Sequence, residues 1–240
     1  MAWDSHYDIF KYTSIKKFAS IAVPTKRAIL SRISLLFDPL GLLGPVVLLA
    51  KALMQELWRS GISWDDPISE GFVAKWLQYE AELQDFRQIH IPRKVFSNEC
   101  RNLQLHGFCD ASETGYGASL YIRSELIDGS YSTQLWCSKS RVAPLKSISI
   151  AKLELCAALL LARIVHKCIP YINHVVDDVY LWSDSKIVLC WLRSCSRTWN
   201  AFVANRVGEI QSLTAVKIGI TLKERKILQI FYLEWQCPVY

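Results

Sequence analysis

Three carboxylates, Asp110, Glu154 and Asp184, stand in the contexts GFCDASETGYGASL, IAKLELCAALLLARI and VYLWSDSKIVLCWL. Each is expected at a strand end or on a buried helix. Acids brought together on an apolar scaffold repel one another unless a cation or bound protons offset their charge, so convergence of the three implies a ligand. Hard oxygen donors favour magnesium or manganese. Taken singly, each motif has an ordinary reading. "SDS" ahead of a helix is commonly an N-cap, "DAS" after a strand is commonly a turn, and a first-turn glutamate is satisfied by the helix dipole. Order and placement together, not any one motif, point to a metal site.

The elements that must position these acids begin near Leu103, where the hydrophobic period becomes strand-like. Strands are predicted over 103–109, 117–123 and 134–138, with turns at 112–115 and 128–130. A helix over 151–168, a strand over 179–183 and helices over 186–193 and 200–211 follow, the last burying Phe202, Val203, Val207 and Ile210. Asp110 falls just past the first strand. Asp184 ends the fourth and opens the next helix, and such carboxyl ends are where chemistry gathers on a sheet flanked by helices. Cys156, Ala157, Ala158 and Ala162 are small enough to let the Glu154 helix approach the sheet closely.

Ahead of this lies a helical pattern. Residues 1–24 read as a short extended piece ending at Pro24; a helix capped by Thr25 runs to about Phe37 and is broken by DPLGLLGP. A second helix, 46–59, has apolar residues at 46, 49, 50, 53 and 57, and a third, 69–88, lines up Phe72, Trp76, Tyr79, Leu83 and Phe86. The fold class is therefore α/β with a mixed α+β sheet, preceded by a small helical module. The expected divisions are 1–90, a linker at 91–102, 103–214, and an atypical tail at 215–240.

A chain of 240 residues with 51% apolar content can bury a sizeable core, which argues against disorder. The balance of 28 basic against 22 acidic residues, a net +6, is a mild bias that agrees with a polyanionic partner. Eight cysteines are scattered without a CxxC pair or zinc-ligand histidine spacing, the usage expected of reduced thiols in an intracellular protein. The N-terminus has no secretory pattern, and the uncharged run from Pro39 to Ala50 is broken by Gly41, Gly44 and Pro45 and is too short for a bilayer. The expectation is a soluble protein without a membrane partner.

The stretches TKRAILSRISLLFDPLGLLGPVVLLAKALMQELW, ISWDDP, LHGFCDASETGYGASLYIR, CSKSRVAPLKSISIAKLELCAALLLARIV, LWSDSKIVLCWL and FVANRVGEIQSLT cover most of residues 25–214. Together they resemble BEL/Pao-type retrotransposon Pol polyproteins, with the later part similar to a ribonuclease H domain and residues 1–90 similar to the trailing region of a reverse transcriptase. The resemblance implies cleavage of RNA in an RNA/DNA hybrid with two magnesium or manganese ions, Asp110 bridging both and Glu154 and Asp184 each holding one. It implies recognition by backbone shape and 2′-hydroxyls. Lys139, Arg141 and Lys146, in the loop before the Glu154 helix, are candidate phosphate contacts; a solvated basic loop is the alternative. The implied partners are RNA/DNA hybrid or double-stranded nucleic acid and the rest of the Pol polyprotein. A peptidase label used for this family finds no support, because neither Asp-Thr-Gly nor Asp-Ser-Gly occurs in the chain.

The chain departs from the family pattern at both ends. A fourth carboxylate, an aspartate on a helix after a fifth strand, is expected, yet no Asp follows Asp184. From Ala215 the sequence reads as a frameshifted or alternatively spliced end that displaces, mimics or omits that strand, so the domain is expected to be incomplete and inactive or weakly active. Two other readings stand beside the nuclease: a catalytically dead remnant that binds nucleic acid, and a helical interaction module formed by residues 25–90. "VVDD" at 175–178 resembles a polymerase metal hairpin, but it leads straight into the Asp184 strand and is read as a polar loop.

Overall fold

The computed structural model describes residues 1–12, 24–96, 99–172, 176–214 and 221–223. The chain divides into two compact units, Met1–Val95 and Phe96–Tyr240.

In the first unit, α1 (Lys26–Ser34) starts where Thr25 accepts a hydrogen bond from the Ala28 N–H, the expected cap. It stops short of Phe37. Asp38 instead ties the following turn, accepting from the Leu42 and Leu43 N–H groups at 2.9 and 2.8 Å and from the Tyr12 hydroxyl at 3.0 Å. Helices α2 (Gly44–Arg59) and α3 (Glu70–Glu82) complete the helical part. Ala50, Met54, Leu57, Trp76, Tyr79 and Leu83 are buried with Ile29, whereas Leu49, placed on the buried stripe by its spacing, is exposed. Short strands β1 (Ala2–Asp4), β2 (Ile9–Lys11) and β3 (His90–Pro92) form an antiparallel sheet in that order. Residues 91 and 92 of the expected linker thus belong to this sheet.

The second unit is built on a five-stranded sheet of order β6-β5-β4-β7-β8. Strands β4 (Cys100–Ala111), β5 (Gly115–Leu126) and β6 (Tyr131–Val142) form an antiparallel meander, and β7 (Asp178–Trp182) pairs parallel with β4. Each strand of the meander is longer than its local pattern predicts, because ladder hydrogen bonds extend pairing through polar residues. The last strand, β8 (Thr221–Lys223), pairs parallel with β7. A fifth strand, which the sequence left open, therefore falls within the tail: parallel pairing is non-local, and three residues with no strong strand pattern meet it.

Helix α4 (Ile150–Cys168) packs on β4 and β5, burying Leu153, Leu155, Ala157, Ala158, Leu161, Ala162 and Val165. Gly107 shows how closely the two layers approach. A Cβ there would sit 2.7 Å from Leu161 Cδ1 and 2.8 Å from Leu181 Cδ2. Helix α5 (Lys186–Arg193) follows β7, and α6 (Ala201–Thr214) packs on α4 with Val203, Val207 and Ile210 buried; Phe202 is only half-buried and carries the Arg206 guanidinium over its ring. Among the described residues no helix is long and apolar enough to cross a membrane.

Candidate metal and nucleic-acid site

The site is built where β4 and β7 end and α4 and α5 begin. Alternation along β4 buries Leu103, Leu105, Gly107 and Cys109 and leaves Asp110 exposed. Asp110 lies inside the strand, opposite Gly117 of β5, rather than past its end; its carboxylate accepts from the Ala111 N–H at 2.7 Å. Asp184 is exposed two residues beyond β7. The cap of α5 is Ser185, not Asp184: the Ser185 hydroxyl accepts from the Val188 N–H at 3.3 Å.

Ser185 is 6% exposed and donates its hydroxyl to Glu154 Oε2 at 2.5 Å, so the cap next to Asp184 is tied directly to the partly buried glutamate of α4. The Ser185 N–H in turn reaches the buried Ser183 hydroxyl at 3.4 Å.

Cys109, beside Asp110 on β4, is buried. Its thiol donates to the Trp182 carbonyl at 3.4 Å. Burial pushes this thiol up to about 12, a hydrogen bond with Ser183 works against the rise, and the charges of Asp110, Asp184 and Glu154 add to it. All three carboxylates therefore bear on one buried sulfur. Their side chains do not close into a cage: among the described residues no group of three His, Cys, Asp or Glu stands within reach of one metal ion. The donor chemistry suits a hard divalent cation, but Glu154 is engaged by Ser185 and Asp110 by its neighbouring amide.

Lys139 and Arg141 lie on β6, not in the loop expected from the sequence, and only Lys146 occupies the β6–α4 connection. They alternate on an edge strand, so both are exposed; Lys146 is exposed too. Charges at an edge also discourage pairing with other chains. Asp177 has a structural task, accepting from the Leu103 N–H at 2.7 Å while its own N–H donates to the Leu103 carbonyl at 2.8 Å, which sets the β4–β7 register. Sequence reasoning missed Ser185 and Cys109. Ser185 was legible as the second serine of "SDS"; nothing local marked Cys109.

A five-stranded mixed sheet covered by α4, with acids at the ends of β4 and β7, is the ribonuclease H-like class of α/β fold. Residues 25–185, more than half of the chain, match the family described as Pao retrotransposon-like RNaseH-like domain, and the chain belongs to that family. No curated protein matches it. Among solved structures it is similar to a foamy viral protease–reverse transcriptase in complex with RNA/DNA hybrid, at 13% identity and a TM-score of 0.49, covering 92% of this chain and 27% of that one. The ribonuclease H1 of the halophilic archaeon Halobacterium salinarum gives 13% identity and a TM-score of 0.31 over 51% of this chain and 86% of that one. The ribonuclease H domain of PFV gives 16% identity and 0.31, over 52% and 77%. The chain spans about a quarter of the foamy viral protein's length.

Proposed function

We propose that this retroelement Pol segment binds RNA/DNA hybrid through its second unit and carries the remains of a metal-dependent ribonuclease site. Asp110, Glu154 and Asp184 would hold magnesium or manganese, two ions by family likeness, and such ions supply an activated water and stabilise the leaving oxygen of a scissile phosphate. The observation that carries this reading is the hydrogen bond that ties Glu154 to Ser185, the residue next to Asp184, with Asp110 near the end of the neighbouring strand β4. The Ser185 hydroxyl engages one oxygen of the Glu154 carboxylate, which has further acceptor sites for a cation. Lys139, Arg141 and Lys146 are suited to contact the phosphate backbone, where affinity falls steeply with salt.

Glu209, an acid of the helix before β8, has both carboxylate oxygens committed to Arg163, at 2.6 and 2.8 Å, and is not one of the proposed metal ligands. A second reading, nucleic-acid binding without cleavage, is favoured by the acids standing outside common metal reach. Incubating the full chain with labelled hybrid and Mg2+ or Mn2+, beside Asp110→Asn, separates the two. Metal-dependent cutting that disappears in the variant supports the nuclease; salt-sensitive binding with identical background cutting in both proteins supports the binder.

A further inference from the structure

A second polar site lies between α4, α6 and the β5–β6 edge, in a cavity of about 220 Å³. Arg141 comes from β6, Tyr116 from β5, Arg163 from α4, and Arg206 and Glu209 from α6, over a floor that includes buried Leu160. Three guanidiniums therefore face one carboxylate. Glu209 grips Arg163 in a two-pronged pair, which holds the Glu209 carboxyl below the usual range, with Arg206 adding a smaller pull. Neither Arg141 nor Arg206 makes an ion pair among the described residues.

Arg206 is fixed in place without being neutralised. Its Nη1 donates to the Phe202 carbonyl at 2.9 Å and its guanidinium stacks 3.5 Å from the centre of the Phe202 ring. One of five N–H donors is used by that hydrogen bond, leaving the others for a ligand. The cavity thus presents two uncompensated positive charges, one of them preorganised.

We propose that this cavity binds a phosphoryl dianion, a phosphomonoester or free phosphate. Planar guanidiniums match tetrahedral oxyanions through paired hydrogen bonds, and two unpaired cations match a double negative charge. A backbone phosphodiester carries a single charge and must continue on both sides. The volume of about 220 Å³, open to solvent on one side, lies below the 300 Å³ or so at which whole cofactors are usually accommodated, so it admits a protruding terminal group. This site shares Arg141 with the proposed backbone contacts but none of Asp110, Glu154 and Asp184, and it needs no metal, so phosphate binding is read separately from cleavage.

The test is a calorimetric titration of the full chain with inorganic phosphate in the presence of EDTA. Saturable binding is expected, weakened by about tenfold in Arg206→Gln and again in Arg141→Gln. Glu209→Gln frees Arg163 and is expected to tighten binding, a change in the opposite direction that unfolding cannot imitate. Asp110→Asn leaves the affinity as it is. Competition then identifies the source: displacement of phosphate by a 5′-phosphorylated but not a 5′-hydroxyl oligonucleotide assigns a nucleic-acid end, and displacement by neither assigns a free small phosphate. No saturable response, equal binding of acetate, or affinity unmoved by the two arginine variants overturns the proposal.

Discussion

The hydroxyl of Ser185 donates to Glu154 Oε2 at 2.5 Å, joining the cap of α5 to the N-terminal part of α4. The same oxygen accepts from the Val188 N–H, so a single side chain both caps a helix and steers a candidate metal ligand. Ser185→Ala is expected to destabilise the second unit by about 1 kcal/mol through loss of the cap alone. It also releases Glu154. Urea denaturation of the variant checks the first effect, and a midpoint equal to wild type would remove the cap from the account.

Glu154→Gln separates the structural part played by this residue from metal binding. The amide keeps an oxygen for the Ser185 hydroxyl while deleting the charge a cation would need. The melting temperature is expected to be unchanged or raised, because the hydrogen bond is kept and no charge has to be held in a partly buried position, whereas any metal-dependent hybrid cleavage falls by roughly two orders of magnitude or more. A lowered melting temperature together with unaltered cleavage contradicts both parts.

Gly107 has no room for a side chain. The added methyl of Gly107→Ala would meet Leu161 Cδ1 and Leu181 Cδ2 at 2.7 and 2.8 Å, so these buried leucine side chains must repack around it. Overpacking of this kind costs about 1–3 kcal/mol. Chemical denaturation of the variant is the measurement, and wild-type stability would mean that the layers yield more easily than their packing indicates.

His106 makes the fold acid-sensitive. Its Nδ1 accepts from Trp182 Nε1 at 3.1 Å and its Nε2 lies 3.3 Å from Gln104 Oε1, an arrangement suited to a neutral ring. Burial pushes this imidazole down to about 4, the Arg123 charge pushes the same way, and Asp178 opposes them. The unfolded chain therefore takes up a proton first as pH falls. The stability His106 contributes is present above about 6.5, the ordinary value, and is lost as pH drops through about 4. An NMR titration of the ring against a pH series of melts checks this; a ring titrating near its ordinary value contradicts it.

Much of the second unit was legible because its elements announce themselves locally. The run from Leu153 to Ala162 is apolar on nearly every side and reads as a buried helix, and α5 falls at 186–193 as its pattern predicts. Thr25 precedes its helix with a side chain of cap chemistry and caps it. Where local pattern and tertiary context disagree, context prevails. Lys139 and Arg141 look like loop residues until pairing with β5 extends β6 through them. Thr221–Lys223 becomes a strand only because β7 offers a partner edge.

Residue types and order alone determined which acids could share a site, since Asp110, Glu154 and Asp184 each stand beside an element whose period is written in its neighbours. Only the tertiary structure decided what stands near them, such as the Ser185 hydroxyl on Glu154, and built the arginine cavity between α4 and α6. Hydrophobic period is a short-range property that survives in one dimension, whereas the distance between two charges on different elements depends on strand register and layer spacing. Those are set by contacts such as Gly107 against Leu161, which no local window contains.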